Sequence, residues 1–337
     1  MISDQKILQI GVKRTLPDEY VTKVGAFLAK RGSGKTYAAG VITEEFLKKE
    51  IPFIIIDPMS AYYGLREKYP IVIFGGRKAD IKIEPTDGII LAELIVKNNI
   101  CAIFDLAEWS HTDMRSFVTE FLIKLYELND TPRHIFLEEA DIFAPQRGRD
   151  NSRESLASVD TVVRRGRQYG IGLTMITQRP AVMHKDVLSQ ADIWFFMHLI
   201  SDQDLSAVKQ IIQHSGMGQV KDIIQKIVKY KAGEALIYSP EWLGKIEDIK
   251  FREKETYHAG KTPKLGEKII EPRLVPVNLT KILSFLENYD QEDPEQQKVK
   301  DIELQAKYAR FFDQKISIPL AIATAILVAG AMGWLVV

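Results

Sequence analysis

Short runs of apolar, often β-branched residues recur along the chain and alternate with segments of helical periodicity. A run of four to eight such residues is typical of a buried strand, whereas apolar residues spaced three and four apart predict an amphipathic helix. The clearest helix is predicted over residues 112–128, where one apolar stripe recurs. The predicted strands occupy residues 24–29, 53–56, 71–74, 100–104, 134–137, 171–177 and 193–197.

The alternation of strands and helices predicts an α/β fold with a mostly parallel sheet and helices on both faces. Residues 233–239 and 246–251 predict a closing pair of strands around the turn at Pro240. About 20 residues precede the first predicted strand. A ligand of such a sheet sits at the carboxyl ends of its strands, so the residues that follow each strand are the candidates for chemistry.

The composition changes after Arg252, where polar residues, glycines and prolines predict a linker. Helical character then returns over residues 277–289 and 296–312, which predicts a short helical stalk. These changes divide the chain into five predicted parts: an amino-terminal extension (1–20), a core (21–252), a linker (253–275), a stalk (276–315) and a terminal segment (316–337).

The terminal segment, residues 316–337, carries no charge. Its length of about 22 residues, at 1.5 Å per residue, suffices to cross a hydrocarbon core of about 30 Å. Arg310 and Lys315 precede it, so the positive-inside rule predicts that the preceding domain is cytoplasmic. We therefore expect a transmembrane helix that acts as a tail anchor. The alternative is a buried terminal helix in a soluble fold.

The charge balance bears on whether the partner is a nucleic acid, and the cysteine content bears on the redox compartment. The chain has 337 residues, of which 46% are hydrophobic, and its 45 basic and 45 acidic side chains cancel. The overall charge therefore neither favours nor excludes nucleic acid, and any basic surface must be local. The single cysteine, Cys101, excludes an intrachain disulfide and is typical of a reducing compartment.

A glycine-rich turn follows the first predicted strand and runs into a helix predicted over residues 37–48. Glycines let successive backbone N–H groups point at phosphates, and the amino end of a helix adds its dipole. Ala29 stands where the first glycine of a strict phosphate-loop pattern would be. The candidate residues for binding ATP are Lys30, Arg31, Gly32, Ser33, Gly34, Lys35, Thr36 and Tyr37.

Within this loop Lys35 is expected to reach the β- and γ-phosphates, and the Thr36 hydroxyl to hold Mg²⁺. The Mg²⁺ ion and the attacking water need a carboxylate at the end of another strand. Asp105 is one candidate. The adjacent acids Glu138 and Glu139 are the stronger one, because Glu138 can serve the metal shell while Glu139 polarises the water.

Two further features follow these acids. Gln178 comes directly after the strand predicted at residues 171–177, where its amide can sense the γ-phosphate or orient water. Upstream of it lies a cluster of arginines, which suit phosphate recognition as an arginine finger or as contacts to a nucleic-acid backbone. The alternative for each is a solvated helical face. The cluster consists of Arg147, Arg149, Arg153, Arg164, Arg165 and Arg167.

Taken in order, these motifs resemble the HerA–FtsK superfamily of P-loop motor ATPases, and the likeness is to the HerA side. It extends over about residues 21–212 and includes Asp57-Pro58 after the second strand and the run 163–170 before Gln178. Two features depart from that pattern. Asp141 stands where many relatives carry His, and the amino-terminal barrel of cellular HerA proteins has no counterpart. The second departure puts a barrel-docked nuclease partner in doubt.

The resemblance implies a RecA-like core that hydrolyses ATP with Mg²⁺. It implies nucleotide and metal contacts for Lys35 and Thr36, a Walker B role for Glu138, the catalytic base in Glu139, and the γ-phosphate sensor in Gln178. It places the arginine finger among three residues, Arg164, Arg165 and Arg167.

The same resemblance implies a hexameric ring that threads double-stranded DNA. Together with the membrane span expected at residues 316–337, it indicates a motor held at a membrane, in genome packaging, conjugative transfer or segregation. Two other functions stay open. One is an ATPase that moves protein, as secretion motors do, and the other is an ATP-gated oligomeric membrane scaffold that moves nothing. The intact Glu139 and Gln178 count against the scaffold.

Overall fold

A computed structural model of the chain describes residues 7–148, 151–260 and 271–290. The chain divides into two compact units between Asn278 and Leu279. The strands are β1 (Ile7–Gly11), β2 (Arg14–Pro17), β3 (Val24–Leu28), β4 (Phe53–Asp57), β5 (Val72–Phe74), β6 (Ala102–Asp105), β7 (Arg133–Glu138), β8 (Ile171–Thr177), β9 (Ile193–Phe196), β10 (Glu234–Ser239) and β11 (Lys245–Lys250).

The helices of the first unit pack around these strands. They are α1 (Lys35–Lys48), α2 (Gly88–Asn98), α3 (His111–Leu128), α4 (Ser152–Arg165), α5 (Lys185–Leu188), α6 (Asp202–Ser215) and α7 (Val220–Ile227). The second unit contributes α8 (Thr280–Asp290) to the described residues.

Most strands form one sheet in the order β11-β10-β9-β3-β8-β7-β4-β6-β5. The strands from β9 to β5 pair in parallel, whereas β10 pairs antiparallel with both β9 and β11. The predicted α/β fold with a mostly parallel sheet is confirmed. Each predicted strand lies within two residues of its expected ends, because β-branched runs bounded by turns fit a sheet buried on both faces.

The sequence predicts no strand before residue 20, and this prediction is wrong. The strands β1 and β2 form an antiparallel hairpin there, in which Leu8, Ile10 and Leu16 are fully buried. Gly11 forms a bridge with Phe251, so the hairpin lies against the end of the core. Its apolar positions alternate with polar ones over only five residues, which makes the signal weak in the sequence.

The stretch after Arg252, predicted as a linker, has neither helix nor strand over residues 252–260, but hydrogen bonds hold part of it to the core. We call residues 252–258 the strap. The carboxylate of Glu44 on α1, which is fully buried, accepts hydrogen bonds from the backbone N–H groups of Glu255 and Thr256 at 2.9 Å each. Arg252 also donates to Glu44 at 2.8 Å. The polar groups of the strap are therefore used in contacts with α1.

A chain of buried hydrogen bonds links Tyr20 to the neighbouring strands β7 and β8. Tyr20 and Thr174 lie 2.6 Å apart through their hydroxyls, and the Thr174 hydroxyl lies 2.7 Å from Nε2 of His134. The other ring nitrogen, Nδ1, lies 3.0 Å from the carbonyl of Val21 and must therefore donate. Burial lowers the pKa of His134 to about 4, so the ring is neutral at pH 7.

In the part of the chain that the structure describes, no helix has both the length and the apolar character needed to cross a bilayer. The predicted transmembrane segment, 316–337, and the second stalk helix, 296–312, lie outside that part.

Candidate active site

The site lies at one edge of the sheet. The strands β3, β8, β7, β4 and β6 run parallel, so their carboxyl ends meet there. In the registers of these strands Leu28 lies opposite Thr177, and Glu138 lies opposite Ile176. The residues that follow β3, β7 and β8 are therefore neighbours in space, although more than a hundred positions separate β3 from the other two strands in the sequence.

The loop between β3 and α1 turns through two glycines with positive φ, Gly32 at 81° and Gly34 at 90°. A side chain is strained in this region, so glycine is required for the turn. The carbonyl of His198 accepts hydrogen bonds from the Lys30 N–H at 2.9 Å and the Ser33 hydroxyl at 3.1 Å. These contacts anchor the loop to the end of β9 and leave α1 to begin at Lys35.

The remaining loop residues differ in their surroundings. Arg31 is exposed and Lys30 is half-buried. The Tyr37 hydroxyl accepts a hydrogen bond from the backbone N–H of Lys254 at 2.6 Å, and the Tyr37 ring meets that of His258 edge to face. Tyr37 therefore joins the phosphate loop to the strap.

Lys35 and Thr36 meet the predicted acidic pair directly. The Thr36 hydroxyl donates to Oε1 of Glu138 at 3.0 Å. The Lys35 ammonium lies 3.9 Å from Oε1 of Glu138 and 3.6 Å from Oε1 of Glu139. Both separations exceed a normal hydrogen bond, so the ammonium lies between the two acids without closing on either. Four residues that the sequence singled out thus converge at this edge.

Burial makes this acidic pair electrostatically costly. It raises the pKa of Glu138 to about 7, and the nearby Lys35 charge opposes the rise. It also raises the pKa of Glu139, again against Lys35. A site that binds positive charge near these carboxylates would relieve the cost of burying them.

Gln178 completes the arrangement, because its side-chain amide donates to Oε1 of Glu139 at 2.9 Å. The residue before it, Thr177, donates to Asp141 at 2.6 Å and accepts from the Arg179 N–H at 3.0 Å. Asp141, which departs from the family pattern, therefore fixes the end of β8 from which Gln178 projects.

Asp105 has a different role from that of the acidic pair. Its carboxylate accepts hydrogen bonds from the Ser60 hydroxyl and, at 3.1 Å, from the Ala107 N–H. These contacts hold the loops after β4 and β6 together. A residue that sequence reasoning did not place in the site joins instead: the Tyr62 hydroxyl donates to Oε2 of Glu138 at 2.7 Å.

The predicted finger residues lie at the opposite edge of the sheet. Arg164 and Arg165 end α4, and Arg167 follows in the turn before β8 begins at Ile171. All three are exposed, and Arg164 pairs with Asp160 at 2.7 Å. Since β8 has seven residues and rises about 3.3 Å per residue, its two ends lie about 20 Å apart. The structure therefore does not bring these arginines to the phosphate loop of the same chain. Arg149 lies outside the described residues.

The residues at the site fit a Mg²⁺ ion. Thr36 and Glu138 offer oxygen atoms, which Mg²⁺ prefers, and the two converge on one point. Within the described residues no group of three or more His, Cys, Asp or Glu forms a metal cage. A Mg²⁺ ion that keeps several waters and binds substrate phosphates needs only one or two protein oxygens.

A comparison with known protein families finds a match over a segment that includes the phosphate loop. Residues 15–97 match the family model described as the central domain of helicase HerA. The DNA double-strand break repair helicase HerA of Pyrococcus furiosus is 31% identical over 106 residues, which cover 32% of this chain and 18% of that protein. The aligned segment thus spans about a fifth of that relative.

Two solved structures share the fold. VirB4 of Thermoanaerobacter pseudethanolicus superposes with a TM-score of 0.58 at 13% identity, covering 76% of this chain and 98% of the other. The bacterial conjugative coupling protein TrwB gives a TM-score of 0.55 at 10% identity, covering 78% and 92%. The match to the HerA central domain confirms the predicted resemblance over residues 15–97, and the two solved structures confirm the predicted α/β fold.

Proposed function

We propose that this HerA-like P-loop ATPase is a ring-forming motor that hydrolyses ATP to move double-stranded DNA at a membrane. The observation that carries the proposal is the convergence of Lys35, Thr36, Glu138, Glu139 and Gln178 at one edge of the sheet. A protein that only bound nucleotide would need the first two of these. The acid at 139 and the amide that contacts it serve hydrolysis.

The chain's own residues divide the work of hydrolysis. The loop N–H groups and Lys35 would bind the phosphates, while Thr36 and Glu138 would hold Mg²⁺. Bound there, Mg²⁺ neutralises charge that develops on the phosphates. Glu139 accepts a proton from the attacking water, for which its raised pKa is suited. Gln178, which donates to Glu139, orients that water and contacts the γ-phosphate.

Support for DNA as the substrate comes from the relatives. The Pyrococcus furiosus protein is named as a DNA double-strand break repair helicase, and the residues that match the HerA family model include the phosphate loop. The ring is supported by the position of Arg164, Arg165 and Arg167, which can reach a phosphate loop only in a neighbouring subunit. The uncharged sequence of residues 316–337 supports membrane attachment.

The first test of this proposal is Lys35→Ala. Because Lys35 supplies the positive charge for the phosphates, the variant is expected to lose ATP hydrolysis, measured as phosphate release. Lys226→Ala removes an exposed lysine that pairs with Asp248 and should keep the wild-type rate. Turnover by Lys35→Ala at the wild-type rate would refute an ATPase at this site.

The second test concerns the substrate. The full chain is assayed for ATP hydrolysis with duplex DNA, with single-stranded DNA and with neither, at low and high salt. A motor for double-stranded DNA is expected to hydrolyse faster with duplex, and the gain should disappear at high salt because phosphate contacts release counterions. A rate of ATP hydrolysis that DNA does not change would favour the protein-moving ATPase. Nucleotide-dependent assembly without sustained turnover would favour the scaffold.

A further inference from the structure

The hydroxyl of Tyr62 lies inside the candidate site. The side chain is 1% exposed, and its hydroxyl donates to Oε2 of Glu138 at 2.7 Å. A buried tyrosine needs a partner for its hydroxyl, but the backbone offers many carbonyls for that purpose. Here the partner is the carboxylate that also faces the phosphate loop.

The turn that delivers Tyr62 is itself tightly held. Asp57, at the end of β4, accepts hydrogen bonds through Oδ2 from the N–H groups of Ala61 at 2.7 Å and Tyr62 at 3.0 Å. Its other oxygen accepts from the Met59 N–H at 3.1 Å. Ser60 adopts a φ of 53°, which a non-glycine residue rarely does, and its hydroxyl bonds to Asp105. The acids that end β4 and β6 therefore fix the backbone that carries Tyr62.

The two oxygens of Glu138 have different partners. Oε2 receives the Tyr62 hydroxyl, whereas Oε1 lies 3.0 Å from the Thr36 hydroxyl and 3.9 Å from the Lys35 ammonium. A carboxylate with a donor on one oxygen is fixed in rotation, so the other oxygen faces a constant direction. That direction is the point shared with Thr36.

We propose that Tyr62 is a positioning residue for the metal–nucleotide site: its hydroxyl holds one oxygen of Glu138 so that the other faces Thr36 and the metal. This inference rests on the proposed function, since it assigns Tyr62 to the same site. Tyr62 does not touch the nucleotide; it acts through Glu138. Asp57 and Asp105 support Tyr62 by holding the turn that carries it.

The test is Tyr62→Phe, which removes one oxygen atom and keeps the ring in its buried place. The probe is Mn²⁺, which binds oxygen ligands as Mg²⁺ does and whose free concentration is read from its electron paramagnetic resonance signal. With ADP present, the dissociation constant for Mn²⁺ is expected to rise about tenfold, because a hydrogen bond to a charged group is lost. ADP binding without metal should stay within about twofold of wild type, since Tyr62 acts through the metal site.

The matched control is Tyr238→Phe. Tyr238 is also fully buried, and its hydroxyl donates to the Met217 carbonyl at 3.0 Å, away from the site. It should lose stability as Tyr62→Phe does and keep the wild-type affinity for Mn²⁺. Unchanged Mn²⁺ affinity in Tyr62→Phe would overturn the proposal, and so would an equal loss of ADP binding without metal, which marks a general structural defect.

A double-mutant cycle separates an action through Glu138 from any other. In the Glu138→Gln background, Tyr62→Phe should change Mn²⁺ affinity little, because the charged oxygen is already gone. A full tenfold effect in that background would overturn the proposal. If the wild-type chain binds neither ADP nor Mn²⁺–ADP, the proposed function fails. If it binds both and Tyr62→Phe leaves the Mn²⁺ affinity unchanged, only the inference about Tyr62 fails.

Discussion

At the scale of single residues, Glu139 is one of the few non-glycine residues with a positive φ, as Ser60 is. It follows β7 with φ 48° and ψ 49°, a left-handed conformation that costs about 1–3 kcal/mol for a residue with a side chain. The conformation turns its carboxylate towards Lys35 and Gln178. Strain that is kept at a site with converging polar groups is typical of functional residues.

Glu139→Gln is therefore expected to bind ATP and retain it. Glutamine keeps the shape and the contact with Gln178 but cannot take a proton from water, so hydrolysis should fall by about 100-fold or more. Filter binding measures the retained ATP, and phosphate release measures turnover. Glu108→Gln, at an exposed acid, is the control and should behave as wild type. Weakened ATP binding in Glu139→Gln would show that another residue is the base.

Substitution of Thr174 is expected to change the stability of the fold and to leave the chemistry of the site intact. It links Tyr20 to Nε2 of His134, and Thr174→Val leaves both groups buried without that partner. The free energy of unfolding in urea should fall by about 3 kcal/mol, because two buried polar groups lose a bond. Thr161→Val removes a hydroxyl that bonds only within α4 and should cost less than about 1 kcal/mol. Equal losses of unfolding free energy in the two variants would contradict the stabilising role of the hydrogen bonds made by Thr174.

At the scale of elements, Arg252 makes the charged contacts between the strap and the helix α1. Arg252 donates to Glu44 and Glu45 at 2.8 Å each and to the Gln9 carbonyl at 3.0 Å, so it ties the strap to α1 and to β1. Arg252→Leu leaves the buried Glu44 without its charged partner and should cost about 3 kcal/mol or more in urea unfolding. Lys226→Leu breaks an exposed pair and should cost below about 1 kcal/mol. A loss for Arg252→Leu as small as that control's would show that the strap contributes little.

The elements that the sequence predicted well are those with a periodic signal. The strands β3, β4 and β8 are continuous apolar runs. The parallel sheet that they predict brings Glu138, at the end of β7, and Gln178, after β8, to one edge. The strap has no such signal, because contacts between polar groups leave no pattern in a single sequence. Tyr62 was missed for a similar reason. Its place depends on the turn built by Asp57, which only coordinates reveal.

At the scale of the whole molecule, burying carboxylates sets a pH dependence of stability. The pKa of Glu138 is raised to about 7 in the folded chain, against about 4.3 when unfolded. The folded state thus binds the extra proton more tightly, so this contribution to stability is complete below pH 4 and is lost as pH rises through 7. Lysine at position 35 reduces the loss but does not remove it.

Glu138→Gln copies the protonated acid, since its carbonyl can accept from Tyr62 and its amide can donate to Thr36. Without metal and at pH 8, the variant should be more stable than wild type by a few kcal/mol, because one pKa unit corresponds to about 1.4 kcal/mol. At pH 5 the two should differ little. The contribution of His134, whose pKa is lowered to about 4, is present in both chains and cancels. Urea unfolding at the two pH values measures the difference, and equal stability at pH 8 would refute the buried charge.

The parallel sheet also separates the arginines from the site, and this leads to a test of the ring. Since Arg164, Arg165 and Arg167 precede β8 and the phosphate loop lies beside its other end, about 20 Å along the strand, a finger among them must serve a neighbour. A chain with all three changed to alanine should lose hydrolysis although its own loop is intact. Lys35→Ala should lose it although its arginines are intact.

Mixing the two inactive chains should then restore hydrolysis. Sites that pair an intact loop from one variant with intact arginines from the other form at about one interface in four in an equal mixture of head-to-tail subunits. The exposed Arg164–Asp160 pair contributes little to stability, so the triple variant should fold normally. Arg77→Ala, at another exposed arginine, is the control and should hydrolyse as wild type. A mixture that stays inactive, or a triple variant that hydrolyses at the wild-type rate, would remove these arginines from the reaction.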